Sequence, residues 1–217
     1  MQKIGVWIGF VIWASFLAVT MDIVWLARHN SYLLGFVLIV SALVYGAFIK
    51  AAQGWHRKNG ILTNVSLKKM ILGIAGGAFA FVVLRVVEMA FIQYTNVPIG
   101  TPGNEALVER FLNQTEQLYP VLYITLLGPV VEEYVFRVLY YDLFYVAEKS
   151  ILNVQNVMVI TVNATIWTLM HANGFDLVAG FYFFTGLIFS VAYLKTRNIL
   201  VPMGVHVFHN TAAMLFF

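Results

Sequence analysis

Seven apolar runs separated by short polar or glycine- and proline-marked breaks set the pattern of this chain: residues 4–27, 32–49, 70–94, 119–147, 152–171, 176–194 and 199–217. Each is near the ~20 residues a helix needs to cross the hydrocarbon core of a bilayer, and the fourth is longer. The pattern predicts an all-α fold: a polytopic transmembrane helical bundle of about seven spans. Two breaks are substantial. Gln53 to Lys69 reads as a basic, glycine-punctuated linker, for which contact with lipid headgroups is a sufficient role. Residues 95–118 read as an outer excursion, with Pro98, Gly100, Pro102 and Gly103 marking a loop and Asn104 capping a short amphipathic stretch, Glu105–Tyr119.

The polar positions between the runs fix an orientation. With the N-terminus inside, alternating crossings put Lys3, Lys50, Arg57, Lys58, Lys68, Lys69, Lys149, Lys195 and Arg197 on the cytoplasmic side, and leave Arg28 and Arg110 outside. That asymmetry favours N-in. Composition agrees with a membrane location: 61% of the 217 residues are hydrophobic and 11% charged, with mean hydropathy +0.82. A soluble domain carries roughly a quarter charged residues. The net charge of +3 is what basic cytoplasmic loops supply, so no nucleic-acid partner is implied. The absence of cysteine removes thiol nucleophiles and thiolate metal sites. The first run is too long for a cleaved signal core and lacks a small-residue cleavage site, so it reads as a retained span. No repeat or soluble domain interrupts the chain. It reads as one integral-membrane domain, with N-terminal spans and outer loop over 1–118 and a core over 119–217.

Against this background the ionisable residues inside the runs stand out, because charge at that depth is costly and is by default a functional-site hypothesis. Glu132, Glu133 and Arg137 lie in the fourth run. On a helix Glu133 and Arg137 stand at i,i+4 and can bond, whereas Glu132 is turned about 100° away. Glu133–Arg137 then reads as an internal brace, with Glu132 left to work. His171 ends the fifth run, four residues after Trp167, and His206 and Asn210 share a face of the seventh. Arg85 and Glu88, at i,i+3 in the third run, read first as a structural ion pair. Asp22 reads as interfacial, and the many aromatic residues as lipid-facing or belt positions with no site assigned.

A glutamate, two histidines and an asparagine on three spans are each expensive alone and are accommodated together around one wet cavity. Such a set suits amide hydrolysis. A carboxyl in a poorly solvated pocket is raised toward neutrality, the range for a general base acting on water. One imidazole can hold that water; a second imidazole and a side-chain amide can donate to the oxyanion, one such donor being worth about 3–4 kcal/mol. One geometric demand follows. At 1.5 Å per residue His171 falls about 28 Å along its span and His206 about 10 Å along its own. For them to meet, segment five must tilt, begin below the surface or be re-entrant.

Glu132-Glu133-x-x-x-Arg137, an aromatic-x-x-x-His171 and His206-x-x-x-Asn210, in this order on successive apolar runs, resemble the CPBP family. These are the CAAX-processing and bacteriocin-processing intramembrane proteases, also called the Abi family, related to the Rce-type CAAX prenyl endopeptidase. Pro129 before the first motif and Leu200-x-Pro202-x-x-x-His206 before the last strengthen the resemblance, which covers roughly Tyr119 to Phe217. It implies Glu132 as the base activating water, His171 as its partner in positioning that water, and His206 with Asn210 as the oxyanion site. Glu133 and Arg137 would support Glu132. His209, about 60° around the helix from His206, is a rival kept as a supporting residue. Two positions depart from the family: Trp167 stands where phenylalanine is usual, and Val138 follows the arginine where glycine is common.

The expectation is therefore an intramembrane endopeptidase, without cofactor, acting on a membrane-associated peptide or protein in a bacterial plasma membrane. A zinc variant would use Glu132, His171 and His206 as ligands. The competing classes are a non-catalytic scaffold or bacteriocin-immunity protein of the same family, a polar network that only joins helices, and a transporter, for which inverted repeats are lacking.

Overall fold

The computed structural model describes residues 2–27, 30–59, 65–95, 121–146, 149–172 and 177–216. Among these the chain is helical and contains no strand. The helices are α1 (Gln2–Ala27), α2 (Ser31–Asn59), α3 (Leu67–Thr95), α4, α5 (Val154–His171), α6 (Leu177–Thr196) and α7 (Leu200–Phe216). Helix α4 runs through four abutting pieces: Tyr123–Leu127, Gly128–Glu133, Tyr134–Leu139 and Tyr140–Phe144. The expected outer loop and its amphipathic stretch lie outside the described residues, as does the side chain of Asp22.

The seven helical stretches follow the seven apolar runs, with one instructive difference. Helix α2 continues to Asn59, so the first part of the expected linker is helical. Lys50, Gln53, Arg57 and Lys58 are good helix formers, and the isolated Gly54 costs only about 1 kcal/mol, too little to end a helix already propagating. Helix α3 then starts where Ser66 accepts from the Lys69 backbone N–H at 3.4 Å.

Among the described residues, three stretches are long and apolar enough to cross a membrane: Tyr32–Arg57, Leu67–Thr95 and Ala179–Thr196. Large apolar side chains point outward along the first three helices; Leu43 and Phe79 are 69% and 70% exposed. Water would not tolerate so much of this surface, whereas acyl chains cover it.

The chain divides into two compact units. One comprises Met1–Ile61 and Val108–Leu143, the other Leu62–Leu107 and Phe144–Phe217. In the first, α1 and α2 pack around α4, burying Leu17, Phe48, Val135, Val138 and Leu139. Phe48 receives Phe10 and Trp13 edge-on at 5.6 and 5.4 Å.

In the second unit, α3 lies tightly against α7. A Cβ on Gly73 would stand 2.9 Å from Val201 Cγ1, one on Gly204 would stand 2.8 Å from Ile74 Cδ1, and one on Gly77 would run into Val205. Small residues four apart let helix backbones approach closely where lipid offers no hydrophobic drive for association. Gly186 does the same for α5 and α6, where a Cβ would sit 3.2 Å from Ala164 Cα. Asn153 caps α5 by accepting from Gln155 N–H at 3.1 Å. The wholly buried Asn156 bonds both the N–H and the carbonyl of Val146, each at 3.0 Å. The α6–α7 connection is three residues long because Arg197 adopts φ 54°, its guanidinium lying 4.6 Å over the Tyr145 ring.

Candidate active site

The first unit supplies the carboxylates. Helix α4 departs from the regular α ladder on both sides of them. Tyr123–Leu127 and Tyr134–Leu139 are wide, i→i+5 turns: Gly128 N–H bonds Tyr123 O, and Tyr140 N–H bonds Val135 O. Between them, one and a half ordinary turns hold Glu132 and Glu133. Wide turns of this kind occur frequently at functional positions. Glu133 and Arg137 are completely buried, Nε to Oε2 at 3.2 Å, as the i,i+4 spacing predicts. Glu132 is only partly buried. Its side chain leans back toward the preceding turn, where Oε1 would lie 3.7 Å from a Cβ on Gly128; glycine leaves the carboxylate room there.

The second unit supplies the imidazoles and the amide. His171 Nδ1 bonds the Trp167 carbonyl at 2.8 Å. A carbonyl can only accept, so Nδ1 carries the hydrogen and, in the neutral ring, Nε2 is the acceptor nitrogen. The ring is held between Trp167, stacked at 4.0 Å, and Tyr182 at 5.7 Å. His206, 3% exposed, stacks on Phe189 at 4.5 Å and meets the Trp167 indole at 5.3 Å. The two histidines thus share one indole, lying 4.0 and 5.3 Å from it on α5 and α7. His209 Nδ1 lies 2.9 Å from Asn210 Oδ1, and its ring stands edge-on to Phe81 at 4.0 Å. That contact, made to the amide oxygen, orients the Asn210 side chain. Arg85 pairs with Glu88 at 2.5 Å and lies 5.5 Å from the Phe81 ring centre.

Tyr182, Phe189 and Phe81 had no site role on sequence grounds. In the structure these three pack against the histidines instead of forming part of a lipid-facing belt. Nothing local marks them in the sequence; their role comes from helix–helix packing. Among the described residues, no three His, Asp or Glu side chains are grouped to hold a metal ion. Glu132 thus belongs to the first unit, and His171, His206 and Asn210 to the second.

Comparison with known proteins bears on both units. A family model described as Type II CAAX prenyl endopeptidase Rce1-like matches residues 114–212. Over 151 residues the chain is 30% identical to the membrane-embedded CAAX protease MroQ of Staphylococcus aureus (strain USA300). Both matches support membership of the Rce1-type CPBP family. The alignment with the staphylococcal protease covers 69% of this chain and 59% of that protein's length. No solved structure matches the chain. The match to a membrane-embedded protease and the apolar helices together support an integral membrane protein.

Proposed function

We propose that this chain is a glutamate-dependent intramembrane endopeptidase that hydrolyses a peptide bond in a membrane-associated peptide or protein. The observation that carries the proposal is the division of labour between adjacent carboxylates. Glu133 is sunk into an ion pair with Arg137, while its neighbour Glu132 sits partly buried with space beside Gly128.

In this mechanism Glu132 takes a proton from water as the oxygen attacks the peptide carbonyl carbon. His171 Nε2 accepts the other water hydrogen and holds the nucleophile in line. His206 and the Asn210 NH₂ group donate to the oxyanion as the C=O bond opens to the tetrahedral intermediate. On collapse the C–N bond breaks, and the proton held by Glu132 passes to the departing amine. No acyl-enzyme forms. Lowering the barrier falls to electrostatic stabilisation and orientation, the terms that a water-poor site magnifies. The N-terminus faces the cytoplasm of a bacterial cell, and the substrate is a secreted or signalling peptide rather than a prenylated protein.

The test is incubation of the purified protein in nanodiscs with a panel of membrane peptides, cleavage being read by mass spectrometry. Wild type cleaves; Glu132→Gln, which keeps shape and removes the base, does not; His171→Ala and His206→Ala are severely impaired. Cleavage by Glu132→Gln at the wild-type rate would sink the proposal, and a cellular phenotype intact in that variant would leave a scaffold or immunity role in its place.

A further inference from the structure

The family match begins at residue 114, yet the helix bearing both glutamates is tied down by side chains far upstream of it. Trp7 of α1 donates its indole N–H to the Val135 carbonyl at 3.2 Å. Gln53 of α2 donates to Tyr134 Oη at 3.2 Å. One turn later on α2, His56 Nδ1 lies 2.6 Å from Asp142 Oδ2, with side-chain exposures of 4% and 1%. A carboxylate can only accept, so Nδ1 is the donor. All three ties fall on the stretch of α4 just downstream of Glu132.

Their position has a mechanical meaning. Glu132 rides on a short piece of regular helix between two wide turns, so no continuous i→i+4 ladder fixes its rotation. The Val135 carbonyl accepts both the Tyr140 N–H of the wide turn and the Trp7 indole. That second donor favours a carbonyl tilted out of the ladder, which holds the turn wide. If the turn relaxed to ordinary α bonding by one residue, everything upstream would rotate relative to everything downstream by about 100°. Such a rotation carries Glu132 off its line of action. The His56–Asp142 pair, buried at the far end of the same stretch, fixes the frame against which that rotation is set.

We infer that Trp7, Gln53 and His56 are positioning residues, which set the direction of the Glu132 carboxylate by holding the wide turn and the end of α4; this rests on Glu132 being the base proposed above. Helices α1 and α2 thereby act on the reaction through the helix that carries Glu132.

The test uses the full chain in nanodiscs with Trp7→Phe, His56→Ala and His56→Asn. Phenylalanine keeps the ring and loses the N–H; asparagine places an amide nitrogen close to the Nδ1 position. Two quantities are read: kcat and KM for peptide cleavage, and the rate at which dicyclohexylcarbodiimide modifies Glu132, followed by peptide mass spectrometry. Trp7→Phe and His56→Ala are expected to lower kcat roughly ten- to a hundredfold with KM within about twofold. The labelling rate at Glu132 changes severalfold alongside, and His56→Asn recovers most of both. Wild-type kcat and labelling in Trp7→Phe and His56→Ala overturn the inference. So do losses that follow the melting temperature and are not recovered in His56→Asn. Labelling that responds to the variants in a protein that cleaves no peptide leaves the positioning role standing and removes the proposed function instead.

Discussion

Replacing Arg137 by methionine removes one half of the buried pair and leaves the other half stranded. Both residues are 0% exposed, and their contact is 3.2 Å, amid Val135, Val138 and Leu139, each no more than 1% exposed. Breaking a buried pair from one side costs about 3–5 kcal/mol, because the remaining charge stays buried without its counter-ion. At 1.4 kcal/mol per decade this is a shift of roughly a hundred- to several-thousandfold in the folding equilibrium. For a chain of this length it is a fall in melting temperature of roughly 6–20 °C, at about 2–4 °C per kcal/mol. The double variant Glu133→Leu/Arg137→Met removes the stranded charge as well, and is expected to return to within about 1 kcal/mol of wild type, as apolar replacements of buried pairs do. Tryptophan fluorescence during heating in nanodiscs measures all three proteins. A single variant melting within about 2 °C of wild type would refute the brace, since a pair so buried should not be removable at that cost.

Three other expectations can be checked together. Asn210→Ala removes the proposed oxyanion donor and should lower kcat by about 10²–10³ with the melting temperature little changed, read by steady-state cleavage. Gly77→Ala drives a methyl into Val205, next to His206, and should destabilise by about 1–3 kcal/mol. Gly76→Ala meets nothing within 4 Å and should be neutral or stabilising by about 0.5–1 kcal/mol; equal melting temperatures would contradict the α3–α7 packing. Cleavage should survive a strong chelator such as 1,10-phenanthroline; its loss, with recovery on adding zinc, would instead support the zinc arrangement of Glu132, His171 and His206.

What could be foreseen from residue order was whatever rests on short spacings. The i,i+4 relation of Glu133 and Arg137 and the shared face of His206 and Asn210 follow from helix geometry alone. Apolar runs gave the helices to within a few residues, apart from α2, where polar helix formers carry the helix past the apolar limit. Contacts between distant residues could not be foreseen in the same way. His56 and Asp142 are 86 positions apart, and neither lies in a motif. Tyr182 and Phe189 look like any aromatic residues of a membrane helix until α6 is packed on α5. The wide turns of α4 also leave no mark in composition, and the Trp7 bond to the Val135 carbonyl in one of them spans 128 positions.

The two wide turns have a further consequence, for insertions and deletions. An i→i+5 turn holds one residue more than an ordinary turn needs. Elsewhere in the bundle, adding or dropping a residue would turn a lipid-facing stripe inward and a packed stripe outward. Within Tyr134–Leu139 the surplus can be taken up or given back locally, so chain length can vary there by one while the helices on either side keep their neighbours.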